Sequence, residues 1–405
     1  MKFTFNYDEL FNAIQPIIGV VEDAFYDKGG RNIIFRTVKD SNKLDIIGTT
    51  NRITYIEHFD GEVTITPSED GSDFADNETF LSQVNARELL STLQVFKQLN
   101  RTRVSSVEIT CATKGKFVVK IYEVNKDKSD DEITEADLLS STITHDVPKF
   151  TSIILNKVAQ VFPTDGEITT VKSLDILFHV QTLLPVMDTS GDGKSNYSRL
   201  VFSEDSIVAM NQAFTTIMTN QLPPCFNSIA IPHQGISFLK DVVCKEDTVE
   251  VASIDETKTL CFRGSNFDAF LLCNEASVAV TSYKNNFKTE HGIVIDRPYL
   301  RDVLKRLNLS NDSVKVEFDI ENSMIKFSNK SFSQNVPFIN SRGMEEYSSI
   351  SFKVLPSTLD KAIIGMDDKF KTELFIYITK SVNKQAYTLS LSDGSGVWFS
   401  SLAVA

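Results

Sequence analysis

The sequence predicts an α+β protein in which pairs of short helices lie on antiparallel sheets, one pair in each third of the chain. Three observations carry this prediction. Helix-like segments start near Asn6, Asn85, Lys172, Pro232, Asp296 and Pro356, each after an apolar extended run and before alternating strands. From Lys172 onward the starts fall roughly 60 residues apart, a spacing that reads as an internal repeat. The 29 Phe residues and a hydrophobic content of 41% suit packed sheets and exclude a chain too polar to bury a core.

The first helix opens on Asn6 with Glu9 three positions on, the pattern of a capping box, and Leu10, Phe11, Ile14 and Ile17 or Ile18 give it an apolar face. Gly19 is expected to stop it. Strands are expected at Ile33 to Val38, Leu44 to Gly48 and Ile53 to Phe59. The second helix repeats the signature with Asn85 and Glu88, then Leu89, Leu90, Leu93 and Phe96. Val107, Ile109 and Cys111 alternate, and Phe117, Val119 and Ile121 alternate back. Two acidic stretches, Ser68 to Glu78 and Asn125 to Asp137, read as solvated loops or edge insertions.

The pattern restarts near Thr169. Leu174, Leu177, Phe178, Gln181 and Leu184 mark a helix, and Leu200 to Phe202 with Ile207 to Met210 read as a hairpin. Ile236, Leu239 and Val243 form one face of the next helix, before alternating apolar positions from Val249 to Leu271. The final third starts at His291. Asp296 caps a helix with Pro298 in its first turn, carrying Leu300, Val303, Leu304 and Leu307. Val314 to Phe318 and Ile325 to Phe327 pair around a turn at Glu321 to Ser323. The last helix opens at Pro356 with Asp360 placed for a capping box, and strands follow at Leu374 to Ile378, Tyr387 to Leu391 and Val397 to Phe399.

The net charge of −13 argues against a uniformly basic nucleic-acid coat, so the location of the cations decides more than their total. Two helical segments concentrate them: Arg87, Lys97, Arg101 and Arg103 against Glu88, and Arg297, Arg301, Lys305 and Arg306 against Asp302. Lys240 and Lys245 stand against Asp241 on a third. Such cations attract phosphates without regard to base sequence, or are ordinary helix-surface residues. The five cysteines form no CxxC pair and read as buried free thiols of a reducing compartment. The start lacks a signal-peptide layout and no apolar run reaches bilayer-spanning length, so a soluble cytoplasmic protein is expected.

Motifs for chemistry fall short. Asp188 to Ser195 has Asp188 where a phosphate loop needs glycine, and Arg199 where a calcium loop needs its last glutamate. The five histidines show no metal-ligand spacing, and no nucleophile–base constellation appears. No enzyme, no metal and no cofactor is expected.

The residues do match one family pattern. The opening Met1 to Phe5, the helix Leu174 to Met187, the strand pair Leu200 to Phe202 and Ile207 to Ala209, and Ile229 to Pro232 followed by Gly235 resemble the bacterial-type DNA polymerase sliding clamp, over nearly the whole chain in order and spacing. Divergence suggests a viral or otherwise remote member: Asn211 to Phe214 and Ser400 to Ala403 replace the family's turn and tail, and His233-Gln234 its basic pair. A viral member would act in the host cytoplasm.

The resemblance implies three tandem copies of the DNA-clamp fold forming a half ring, with domains at 1–165, 166–288 and 289–405. It implies a homodimeric ring that encircles duplex DNA without sequence preference and tethers the replicative DNA polymerase, with a clamp loader as further partner. Its DNA contacts would fall near Lys28, Arg31 and Lys194, beside Arg87, Lys97, Arg101, Arg103, Lys240, Arg297, Arg301 and Lys305 on the basic helices. The partner-peptide cleft would use Tyr197, Met210, Phe214, Val354, Ser401, Leu402 and Ala403, and the dimer interface Leu307 and Leu309. Two competitors remain open: a clamp-like interaction module that does not encircle DNA, and an enzyme built on repeated domains.

Overall fold

The structure, a computed structural model, describes the chain except residues 23–30, 69–77, 98–101, 113–114, 126, 128–133, 135–137, 188–197, 212–213, 277–287, 311, 348–349, 366–371, 381–385, 395–397 and 405. One order of elements, strand–helix–four strands–helix–three strands, recurs in all three thirds. Among the described residues the α-helices are α1 (Tyr7–Glu22), α2 (Ala86–Lys97), α3 (Ser152–Val158), α4 (Ser173–Leu183), α5 (His233–Asp241), α6 (Arg297–Leu307) and α7 (Pro356–Gly365). Six of them start where the sequence placed them. The seventh, α3, has no counterpart in the sequence reading; Thr151 caps it by accepting from the Ile154 amide at 3.3 Å. The first third also carries an extra strand, Val63–Thr66, and the middle third a short one, Asn274–Glu275.

The chain divides into two compact units, residues 1–170 with 238–272, and 171–237 with 273–405. The first unit holds seven strands of its larger sheet in the order Thr248–Ile254, Thr259–Arg263, Phe267–Leu272, Ile53–Phe59, Leu44–Thr49, Asn32–Val38, Thr79–Asn85. Middle-third strands thus continue a first-third sheet, joined where Phe267 faces Glu57 and Leu271 faces Ile53 in antiparallel register. A five-stranded sheet, Val63–Thr66, Lys2–Phe5, Thr102–Cys111, Lys116–Asn125, Leu139–Asp146, contributes Phe3, Phe5 and Phe117 to a core shared with Phe35 and Phe80 of the larger sheet. Their rings pack 5.5 to 6.5 Å apart, the spacing at which aromatic pairs attract. Helix α1 lies directly on the larger sheet: a Cβ on Gly48 would come within 2.6 Å of Ile17 Cγ2.

A second cluster lies on the larger sheet. Ile154 and Val158 of α3, with Phe162 just beyond it, pack on Ile34, Ile47 and Ile56 and equally on Ala252, Cys261 and Phe270. In the second unit, the strands Ile229–Pro232, Arg199–Phe202, Ser206–Met210 and Phe214–Thr219 run in order into Trp398–Val404, Ser351–Val354 and the rest of the final third. Ala386–Ser392 pairs with both Glu373–Lys380 and Trp398–Val404, which closes the final-third strands on themselves. Leu300, Leu359 and Ile363, from the packed pair α6 and α7, fill their interior with Phe318, Phe327 and Phe352.

Local corrections have physical causes. Helix α1 runs past Gly19 to Glu22, because Val20 and Val21 are buried and hold the last turn in place. Asn6 does cap it, accepting from the Asp8 and Glu9 amides at 2.9 and 3.3 Å, but Glu9 accepts from the Glu62 amide instead of closing a capping box. Asp360 likewise faces Arg301, 3.9 Å from its Nε. The α4 face named from sequence is largely the wrong one: Leu174 is 74% and Phe178 52% exposed, while Ile176, His179, Val180 and Leu183 are buried. Asn85 accepts from the Arg87 and Glu88 amides at 3.0 and 3.2 Å. Asn85→Ala is therefore expected to destabilise the protein by about 1 kcal/mol in urea unfolding, against a few tenths for Asn85→Gly.

Candidate nucleic-acid interface

The polar faces of α2 and α6 carry the cations. On α6, Leu300, Val303, Leu304 and Leu307 are buried, which turns Pro298, Tyr299, Asp302, Lys305 and Arg306 outward. Lys305 lies 3.6 Å from Asp302, a surface pair one turn apart that leaves its charge available to solvent. Arg306 donates to Gln334 Oε1 at 3.2 Å, and Gln334 donates to the Tyr299 hydroxyl at 3.2 Å, so the Arg306 guanidinium is held in place. Arg301 is half-buried beside Asp360. Arg297 departs from the sequence expectation. It is in phase with Leu300, Leu304 and Leu307 and only 6% exposed, so it does not present its charge to a ligand. Arg306 takes its place on the exposed face, and the helical phase of the leucines is the signal that identifies it.

On α2, Arg87 and Lys97 are exposed at opposite ends. Lys97 Nζ sits 4.1 Å from the centre of the Phe11 ring, and the Tyr7 hydroxyl donates to the Leu93 carbonyl at 2.7 Å, so α1 and α2 are tied together. Burial pushes the Tyr7 hydroxyl up to about 12, which keeps it a donor at all ordinary pH. The Arg31 carbonyl accepts from the Ala86 amide at 2.8 Å, which brings exposed Arg31 beside Arg87. Arg103 is half-buried on its strand, and exposed Lys240 on α5 pairs with Asp241 at 3.4 Å. Lys28, Arg101 and Lys194 lie outside the described residues, as do Tyr197 and the Asp188 to Ser195 loop.

The opposite charge gathers at the start of α1. A cleft of about 490 Å³ is lined there by Glu9, Asn12, Glu57, Asp60 and Asn266. Burial raises the Glu57 carboxyl to about 7, against the hydrogen bond from Tyr55, with Asp60 and Glu246 adding to the rise. This cleft repels phosphate, so cationic character belongs to particular helices and not to every helix.

The residues named for a peptide cleft fall on four consecutive neighbouring strands of the second unit: Met210 on Ser206–Met210, Phe214 on Phe214–Thr219, Ser401, Leu402 and Ala403 on Trp398–Val404, and Val354 on Ser351–Val354. Phe214 faces Ser401 in register. Val354 is half-buried, whereas Met210 is 4% exposed and packs on Val201, Val208, Ile217 and Ala230, so its side chain already belongs to the core. Of the two interface leucines, Leu309 is 87% exposed, but Leu307 is 1% exposed and is a core residue of α6. Among the described residues no group of His, Cys, Asp and Glu could hold a metal ion, and no helix is long and apolar enough to cross a membrane.

No protein-family model matches the chain, and no curated protein does. Solved structures do. A DNA polymerase sliding clamp from Bacillus subtilis superimposes with a TM-score of 0.72 at 13% identity, over 100% of this chain and 99% of that one. A putative DNA polymerase III beta subunit from Eubacterium rectale gives 0.72 at 11% identity, over 100% and 99%. The DNA polymerase III subunit beta from Pseudomonas aeruginosa gives 0.67 at 14%, over the whole of both chains. From end to end, this chain has the fold of the bacterial DNA polymerase sliding clamp.

Proposed function

We propose that the chain is a DNA polymerase processivity factor: a sliding clamp, two copies of which close head-to-tail into a ring around duplex DNA and tether the replicative polymerase. One observation carries the reading. The likeness runs over the full length of both chains, in a protein that is acidic overall yet turns Arg31, Arg87, Lys97, Lys305 and Arg306 to solvent on or beside two helices. A ring holds DNA by topology, so it needs only weak, sequence-independent phosphate contacts, and a few exposed cations suffice. The proposal includes three domains at 1–165, 166–288 and 289–405, a clamp loader as second partner and no catalysis. Leu309, in the turn just after α6, is the side chain available to the dimer contact. A partner peptide would set apolar anchors over the Phe214, Val354 and Ser401 to Ala403 strands.

The test is retention on nicked circular duplex before and after linearisation. A ring runs off the free ends, so retained protein is expected to fall several-fold on cutting. Equal retention on both forms would refute encirclement and leave only charge-driven binding.

A further inference from the structure

Within the first unit, five charged side chains of alternating sign cross five neighbouring strands: Arg263, Asp268, His58, Asp45 and Arg36. Arg263 donates from Nε to Asp268 Oδ1 at 2.8 Å and from its terminal nitrogen to Oδ2 at 3.2 Å. His58 Nε2 is 3.3 Å from Asp268 Oδ2, and His58 Nδ1 is 2.8 Å from Asp45 Oδ1. Arg36 donates from Nε to Asp45 Oδ2 at 2.8 Å, with its terminal nitrogen at 2.7 Å. The ends are anchored: Arg36 also donates to the Val158 carbonyl of α3, and the Arg263 guanidinium lies 4.2 Å from the centre of the Phe162 ring.

His58 occupies the decisive place. The strands Ile53–Phe59 and Phe267–Leu272 come from different thirds of the chain and meet here, with the His58 amide donating to the Asn266 carbonyl at 2.7 Å. Arg36 and Asp45 lie on the first-third side of this seam, and Asp268 and Arg263 on the middle-third side. His58 bridges the two carboxylates. A neutral imidazole has one N–H and can satisfy one of them, whereas the imidazolium donates to both.

We propose that this ladder fastens the seam between Ile53–Phe59 and Phe267–Leu272, closed while His58 carries a proton and loosened when it loses it. The hydrogen bonds to Asp268 and Asp45 raise His58 to about 9, from an ordinary value of 6.5, against its partial burial. Burial pushes both aspartates up, but His58 with Arg36 or Arg263 outweighs it, and both end below the usual carboxylate range. Glu57, next in the chain, also interacts with His58 by charge. For a histidine raised on folding, the stabilisation is complete below 6.5 and drains away as pH climbs towards 9. For the aspartates it is present above their unfolded values and fades in acid, below about 4.

Hydrogen exchange read by mass spectrometry tests this, with rates corrected for intrinsic exchange. In the unaltered protein, amides of 53–59 and 267–272 are expected to lose protection between pH 6.5 and 9, by up to roughly tenfold per pH unit. Strands Val314–Asp319 and Met324–Ser328 should hold theirs. His58→Gln keeps a donor but cannot titrate. It should exchange faster at the seam by roughly tenfold at pH 7 and show no such pH dependence. Flat protection in the unaltered protein, or the same slope in His58→Gln, would overturn the proposal. If His58→Gln does not fold, the titration of the unaltered protein decides alone. DNA plays no part in the readout, so the result is independent of the clamp reading.

Discussion

Lys305→Glu with Arg306→Glu is expected to weaken direct binding to a duplex about a hundredfold at low salt and to flatten the salt dependence by about two contacts. The reasoning starts from exposure. Both residues stand on the outward face of α6, away from its buried leucines, and Arg306 is further oriented by Gln334 and Tyr299. Each cation that meets a phosphate releases about one counterion, so losing both changes the slope as well as the affinity. Titration of a labelled duplex at several salt concentrations reads both. The control makes the same change of charge on strands, Lys116→Glu with Lys315→Glu, whose lysines are already paired with Asp146 and Glu317. Equal losses in the two doubles would mean that net charge alone is at work and that α6 does not face DNA. Arg297→Ala should leave the salt slope unchanged, because that side chain is buried.

Phe162→Ala should remove about 3–5 kcal/mol of stability in urea unfolding, the cost of emptying a fully buried aromatic site. Phe162 is 1% exposed and sits where Ile34, Ile47 and Ile56 meet Ala252, Cys261 and Phe270. Its ring also supports the Arg263 guanidinium. Its loss therefore opens a cavity against strands of both origins and frees one end of the charge ladder. Val161→Ala is the comparison: Val161 is 71% exposed, and its truncation should stay within about 0.5 kcal/mol. A Phe162→Ala variant as stable as Val161→Ala would show that the α3 segment lies loosely on the sheet.

The sequence revealed elements better than their surroundings. Asp296 and Pro298 announced the start of α6, and Leu300, Val303, Leu304 and Leu307, repeating every three or four residues, are its buried face. The same test misled at α4, where Leu174 and Phe178 are apolar yet exposed, because periodicity counts hydrophobicity and not contact. Helix α3 went unseen because it is one short element whose apolar residues include exposed Ile153 and Leu155 as well as buried Ile154 and Val158. The ladder was invisible for another reason. Arg36, Asp45 and His58 lie on three strands and Asp268 more than two hundred residues later, so only strand pairing brings them together. The cationic helices were legible as composition; which of their cations reach solvent needed the burial of each side chain.

The division of the middle third between two sheets has a consequence for synthesis. Strand Phe214–Thr219 finds its outer neighbour only at Trp398–Val404, in the far part of the final third, and strand Phe267–Leu272 extends a sheet begun near residue 32. The middle third therefore cannot complete its strand pairing by itself. Its first half waits, one edge bare, until residues 398–404 have been made, and such long-range closure is slow and exposed to aggregation. Premature stop products ending before residue 398 should consequently be targets for chaperones and proteases.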